Sequence, residues 1–346
     1  MDFRRPDRPF IWTFGTRKAT MDEWVKQGHP EGITTERLLG YDWFDGIPLN
    51  TSHCPRFEHV IVEEKDGRVT YYDEEGALRT ERRDAQGSGF VTRKWLKFPV
   101  ESREDLLRMK ERYDPEDERR RGQGLEEAIR RSHTTERPVM FTIQGFYWTM
   151  RQWMGFEGLS MAFYDQPELV DEMLDFILDF NVRLLRRHVS GGRVDILVLN
   201  EDMAYKTACM VSPAMLRDKF LPRYRELVRE CKRICADKVF VDSDGHISDL
   251  IPFWIEAGVD GTSPVEIASE QDIVEYAEKY PDFLFIGGLD KRCLIRQKAD
   301  VEAEVIPKAK KLYARLGWIP AVDHAVPANA RFENFKHMIQ LLKELW

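Results

Sequence analysis

Asp242 and Asp244 stand two residues apart in the stretch KVFVDSDGHISDLIPFWIEAGVDG, directly after a β-branched and aromatic run, Val239 to Val241, that suits a buried strand. Alternate side chains of an extended chain point to one side, so a D-x-D at a strand end can present two carboxylates to one ligand. Gly245 breaks the extended run, and Ile247, Leu250, Ile251, Trp254 and Ile255 then recur at the spacing of one helix face until Gly258. The stretch is one βα unit with acids at its carboxyl end, where parallel α/β folds place their chemistry. Two chemistries are open to such acids. Crowded carboxylates raise one another's pKa, which suits proton transfer. Alternatively a divalent cation neutralises them, and Asp242, Asp244, Glu266 and His324 would give it an oxygen-rich site with one imidazole. Blander roles compete: Asp244 as the cap of the helix near Ile247, Glu266 as the opening of the helix after Ser263-Pro264, His324 as a loop histidine, His246 as a first-turn surface residue.

The elements that would position these groups alternate along the chain. Pro9 to Phe14 and Tyr41 to Leu49 are strand candidates, followed by an apparent antiparallel meander with turns at Asp66-Gly67 and Glu75-Gly76. A helix capped by Ser102, with Glu104 in its first turn, and a charged helix over about 115–131 come next. The regular part runs strand Val139 to Ile143, helix Pro167 to His188, strand Val194 to Leu199, helix Ser212 to Cys235 and the βα unit above. It goes on through strands Val259 to Ser263, Phe283 to Ile286 and Trp318 to Val322, with helices at Ser269 to Tyr280, Val301 to Leu316 and Phe332 to Leu345. About eight strands, each followed by helix, predict a single (β/α)8 TIM barrel over 1–346 with residues about 55–132 as an insertion over it. An open doubly wound sheet is the other solution, and no GxGxxG or Walker-type loop supports it.

Composition narrows the partners. A net charge of -8, with acids interleaved among every basic run, argues against a nucleic-acid surface. No stretch approaches the roughly 18 apolar residues of a membrane span, and MDFRRPDRPF has no apolar signal core, so a cytoplasmic protein is expected. The 5 cysteines form no CxxC pair, and Cys231 and Cys235, one helical turn apart, read as packing.

The segments RPDRPFIWTFG, TMDEW, QGFYWTM, YDQPELV, SPAMLRDKFLPRY, VDSDGHISDLIPFWIEAGVDG, IGGLDKR and GWIPAVDHAVPANARFENFKHMI, in this order over nearly the whole chain, resemble the uroporphyrinogen decarboxylase superfamily. The resemblance implies a (β/α)8 barrel and one of two activities: metal-free decarboxylation in the haem pathway, or methyl transfer to the cobalt of a corrinoid partner protein. The paired arginines that hold a polycarboxylate in the decarboxylases are replaced here by Thr13-Phe14-Gly15-Thr16-Arg17-Lys18, their Asp-Ser pair by Glu201-Asp202 and their catalytic-loop tyrosine by Trp153, while His324 matches. An acid-lined cavity also repels a polyanion. In the methyltransferase branch the zinc-ligand positions fall on Asp242, Asp244, Glu266 and His324. What the resemblance implies is therefore a zinc-dependent O-demethylase component, its metal a Lewis acid on the ether oxygen of a small methoxylated aromatic substrate, the methyl passing to a cobalamin-type corrinoid on a separate protein. Asp202, Glu266 and His324 would be catalytic, Tyr147, Trp148 and Trp153 would line the slot for the ring, and Tyr205, Lys206 and Arg292 would orient it. The alternative is a metal-free decarboxylase of a small carboxylic acid, with Asp202 and His324 handling protons. A third reading is a barrel that only binds, its acids holding a structural cation. Homodimerisation is left open.

Overall fold

A computed structural model describes residues 3–82 and 93–346. Its first sheet is antiparallel, with β1 (Val60–Lys65), β2 (Arg68–Tyr72), β3 (Leu78–Arg82) and β4 (Lys94–Lys97) in sequence order. The expected meander is present, and the turn at Asp66-Gly67 carries positive φ at both residues (50° and 71°), the geometry a tight hairpin needs. The part of the expected insertion at 83–92 lies outside the described residues. Ser102 caps a helix over Arg103–Lys110, with Asp105 rather than Glu104 closing the capping box. The charged helix expected over 115–131 shrinks to Leu125–Arg131, preceded by a 3-10 turn at Glu118–Arg120. Its first half is replaced by loop because Arg120 is buried and donates to the carbonyls of Asp114, Asn50, Ser52 and Arg112, a role that pulls the chain out of helix.

The second sheet holds six parallel strands, β5 (Met140–Gln144), β6 (Val194–Asn200), β7 (Ala236–Asp242), β8 (Gly261–Ser263), β9 (Leu284–Ile286) and β10 (Trp318–Ile319), ordered as numbered. The two N-terminal candidates are not regular strands, as Pro9 and Pro48 within them can donate nothing to a ladder. They still run between the outer strands: Trp12 N–H donates to Pro320 O (3.2 Å), Thr16 bridges Val326 in parallel, Asp42 N–H donates to Ile11 O (2.8 Å), and Asp45 bridges Val139 in parallel.

Side-chain alternation sorts the core into two clusters. Ile196 and Val198 of β6 and Phe240 of β7 join Leu284, Ile286 and Ile319, with Phe10, Trp12, Phe14 and Phe44 packed against them. Leu197, Leu199, Val239 and Val241 point the other way into the large cluster shared with the helices. Asp242, in phase with Phe240, therefore faces the first cluster's side. Among the helices, Pro167–His188 and Leu221–Ile234 pack where expected, and Ser212 caps the latter's approach by accepting from Met215 N–H (3.2 Å). One helix escapes the periodicity altogether: Phe146–Asp165 follows β5, kinked at Gly155 (φ 73°) where the Phe98 ring leaves no room for a Cβ. Its start, FYWTM, is apolar or aromatic on nearly every side, which hides a 3.6-residue period. No helix among the described residues is long and apolar enough to cross a membrane.

Candidate active site

Register builds the site. Gln144 pairs with Asn200, Asn200 with Asp242, and Asp242 with Ser263, so four strands end in one row of polar side chains. Just beyond the row the chain must turn sharply. Gly245, at φ 83°, lies where a Cβ would stand 2.6 Å from the carbonyls of Ala204 and Tyr205, so a side chain is excluded there. That close approach drops Asp244 beside His324, whose Nε2 is 3.6 Å from Asp244 Oδ2.

The acids are crowded. Burial and the charge of Asp202 push Asp242 up to about 7. Burial, then the charges of Glu266, Asp202 and Asp242, push Asp244 up to about 7. His324 moves the other way, its imidazole held neutral by burial and by Lys291, and its ring lies parallel to Phe14 at 6.0 Å. Cations sit among these groups. Arg151 holds Asp202 at 2.7 Å, and Lys291 reaches Glu266 Oε1 at 3.4 Å and the fully buried Asp323 at 3.8 Å. Asp323 also takes the N–H groups of Ile267 (3.0 Å) and Lys291 (3.1 Å), fastening two of the loops that carry the site.

Asp202, Asp242, Asp244, Glu266 and His324 thus form one electrostatically coupled group. The competing capping roles do not hold: the helix after Asp244 begins at Leu250, three residues later than expected, and Glu266 caps no helix with its side chain but accepts from Gly245 N–H at 3.1 Å. His246 is tied to Ser269 O (2.7 Å) and points into the loop rather than at the acids.

The proposed aromatic slot is assembled in part. Trp148 and Trp153 share the wall of a cavity of about 330 Å³ that Gln144 and Asn200 also line. Tyr147 does not join them; it is buried with its hydroxyl on Met210 Sδ (3.4 Å). Trp153 forms the floor, its indole N–H on Tyr113 Oη (3.3 Å). Tyr205 is 68% exposed, and Arg292 is held by Asp290 at 2.7 Å with half its side chain in solvent. Neither contacts the acids.

The sequence analysis assigns no role to Arg151, Lys291 or Asp323, and charge balance at the strand ends is the signal that points to them. Glu201 was missed as a support. It is fully buried, and its carboxylate accepts from the N–H groups of Phe146 (2.8 Å), Tyr147 (2.7 Å) and Trp148 (3.2 Å) and from the Tyr224 hydroxyl. Burial lifts it to about 7 against those hydrogen bonds. It caps helix Phe146–Asp165 from a neighbouring strand and so sets where Trp148 and Arg151 stand.

A divalent cation can be tested against these residues. Asp244 Oδ1 is buried with no hydrogen-bond partner, which leaves it free to act as a donor to a cation. With a neutral imidazole beside it and Asp242 one strand pleat away, the donor chemistry fits such an ion. Glu266 fits less well, since its oxygens are engaged by Gly245 and Lys291. Among the described residues no three His, Cys, Asp or Glu side chains already meet at one point, so neither the expected four-ligand set nor its Asp242, Asp244 and His324 subset is preassembled.

A parallel sheet with helices packed against it, and a row of polar side chains with acids just beyond at its carboxyl end, defines an α/β protein with a candidate site at the strand ends. The uroporphyrinogen decarboxylase (URO-D) family model matches residues 95–345, and the chain belongs to this family. Its fold is similar to that of a methyltransferase from Methanosarcina mazei, with a TM-score of 0.60 at 13% identity over 99% of this chain and 95% of that one. A B12-independent methionine synthase from Shewanella sp. W3-18-1 overlays more loosely, with a TM-score of 0.40 at 12% identity over 65% of this chain and 66% of that one. No curated protein matches in sequence.

Proposed function

We propose that the chain is the substrate-side methyltransferase of an O-demethylase, passing the methyl group of a small methoxylated aromatic compound to a corrinoid on a partner protein. The sheet is read as a barrel closed through 11–16 and 42–45, whose backbone hydrogen bonds join its outer strands. The observation that carries the activity is the orphaned Asp244 Oδ1 next to a neutral His324. Asp242, Asp244 and His324 would hold zinc, which when bound supplies Lewis acidity at the ether oxygen and so makes phenolate a better leaving group. Asp242 and Asp244 act as anionic donors once their protons are displaced. Lys291 keeps Glu266 beside them, and it is the Lys291 ammonium that could donate to a departing phenolate oxygen. Arg151 fixes Asp202 at the rim. Trp148 and the Trp153 floor offer the ring aromatic faces in a cavity whose other walls are polar.

The competing reading, a metal-free decarboxylase of a small acid with Asp202 and His324 moving the proton, draws on the lack of three preassembled ligands among the described residues. One experiment separates the two. Metal analysis of purified protein, with Asp242→Ala and His324→Ala beside it, is paired with methyl transfer from 2-methoxyphenol to a reduced corrinoid protein. Near one zinc per chain, lost in both variants together with transfer, supports methyl transfer. Metal-free protein that releases carbon dioxide from a carboxylate sinks it.

A further inference from the structure

The cavity beside the acid row has features that bear on which aromatic compounds enter. It is bounded by Asn200, whose register partner on the next strand is Asp242, so it adjoins the strand end that carries the acids, although none of them is among its lining residues. Trp148 and Gln152 stand one turn apart on helix Phe146–Asp165 and both face it, with Gln144 from β5 completing an amide-rich wall. Asn200 Nδ2 donates to Gln144 Oε1 at 3.3 Å, but the Gln152 amide makes no hydrogen bond to the described residues. An unengaged amide on a cavity wall is a group waiting for a polar ligand atom.

Charge is the second feature. Among the described residues Arg56 is the one guanidinium lining the cavity, and it is bound to Glu74 (2.9 Å) and Glu75 (4.0 Å), the latter itself a lining residue. The nearby Arg151 lies over the Trp148 ring at 5.0 Å and is committed to Asp202. His53, also in the wall, has Nε2 on Glu74 O (2.8 Å). Among the described residues Arg56 and Arg151 are both paired with carboxylates, and Glu75 in the wall adds negative potential. A carboxylate on the ring would enter without a counter-charge, a cost that neutral hydroxyl or methoxyl substituents avoid. A volume of about 330 Å³ suits one substituted ring.

We propose that this cavity is a selective subsite for neutral, phenol-type aryl ethers, with Gln152 reading a ring hydroxyl and methoxybenzoates excluded. The inference rests on the methyl-transfer reading only for what happens to the methoxyl group; the choice of ring stands on the cavity. The test is calorimetric titration of the full-length protein, with and without zinc, using 2-methoxyphenol, methoxybenzene and 4-hydroxy-3-methoxybenzoate. The wild type should bind 2-methoxyphenol about 10-fold or more tighter than the benzoate, the weight of one unpaired buried charge or hydrogen bond. Gln152→Leu should lose about 10-fold for 2-methoxyphenol while leaving methoxybenzene within about 3-fold, and Gln152→Arg should gain the benzoate. Equal or tighter benzoate binding by the wild type, or equal losses for both neutral probes in Gln152→Leu, would overturn the proposal. Ring binding without zinc uptake would sink the function proposed above and leave this subsite standing; zinc uptake without ring binding would do the reverse.

Discussion

Glu201 and Asp244 are both carboxylates at the ends of adjacent strands, and in both burial lifts the pKa to about 7. Their partners differ. Glu201 accepts three backbone N–H groups and a tyrosine hydroxyl, while Asp244 has one oxygen near His324 and the other with nothing. The same perturbed titration therefore marks a structural brace in one place and a candidate ligand position in the other. Counting hydrogen-bond partners tells them apart where a pKa cannot.

The sharpest way to break that contrast is to remove each carboxylate. Glu201→Ala strands three amides and a phenol and should cost about 3 kcal/mol or more in urea denaturation. A loss under about 1 kcal/mol would make Glu201 no brace. Asp244→Asn should instead leave the metal-free fold intact while weakening zinc binding about 100-fold or more by competition titration; unchanged affinity would remove Asp244 from the ligand set.

The pH dependence sharpens the contrast further. Asp242, Asp244 and Glu201 have folded pKa values near 7, above the roughly 4 of an unfolded carboxylate. The folded chain binds these protons more tightly, so their penalty is full above pH 7 and is relieved as pH falls from about 7 towards 4. The melting temperature of zinc-free protein should thus rise between pH 8 and about 5. At lower pH the opposite group takes over: Glu230, held at about 2 by Arg233 and Arg186, contributes stability that disappears as it protonates. Asp244→Asn should melt higher than wild type at pH 8 and flatten the upper slope; a wild-type profile that falls from pH 8 to 6 contradicts the burial argument. The smallest effect belongs to Arg292. Its half-exposed pair with Asp290 predicts a change within about 0.5 kcal/mol and an unaltered KM for Arg292→Ala, and a raised KM would return it to the substrate site.

Much of this was legible in the residues. The D-x-D after a β-branched run fixed the end of β7 and the side that Asp242 faces, because strand periodicity is strict. Glu266 and His324 could be placed beside it once the alternation of strands and helices had put them at neighbouring strand ends. Helix Phe146–Asp165 was not legible, since aromatic residues around its whole start erase the period, and its brace Glu201 could not be found without it. Nor was the irregular course of the first two strand candidates, 9–14 and 41–49, which Pro9 and Pro48 keep from regular pairing. Arg292, exposed, and Tyr147, buried on Met210, were assigned by position along the chain, which carries no information on where a side chain turns.

Anomalous diffraction at the zinc edge, from crystals of protein loaded with one equivalent of zinc, tests the central claim most directly. A single peak within bonding reach of Asp242, Asp244 and His324 is the expected result. A peak elsewhere, or none at a loading that solution titration shows to be complete, would contradict it.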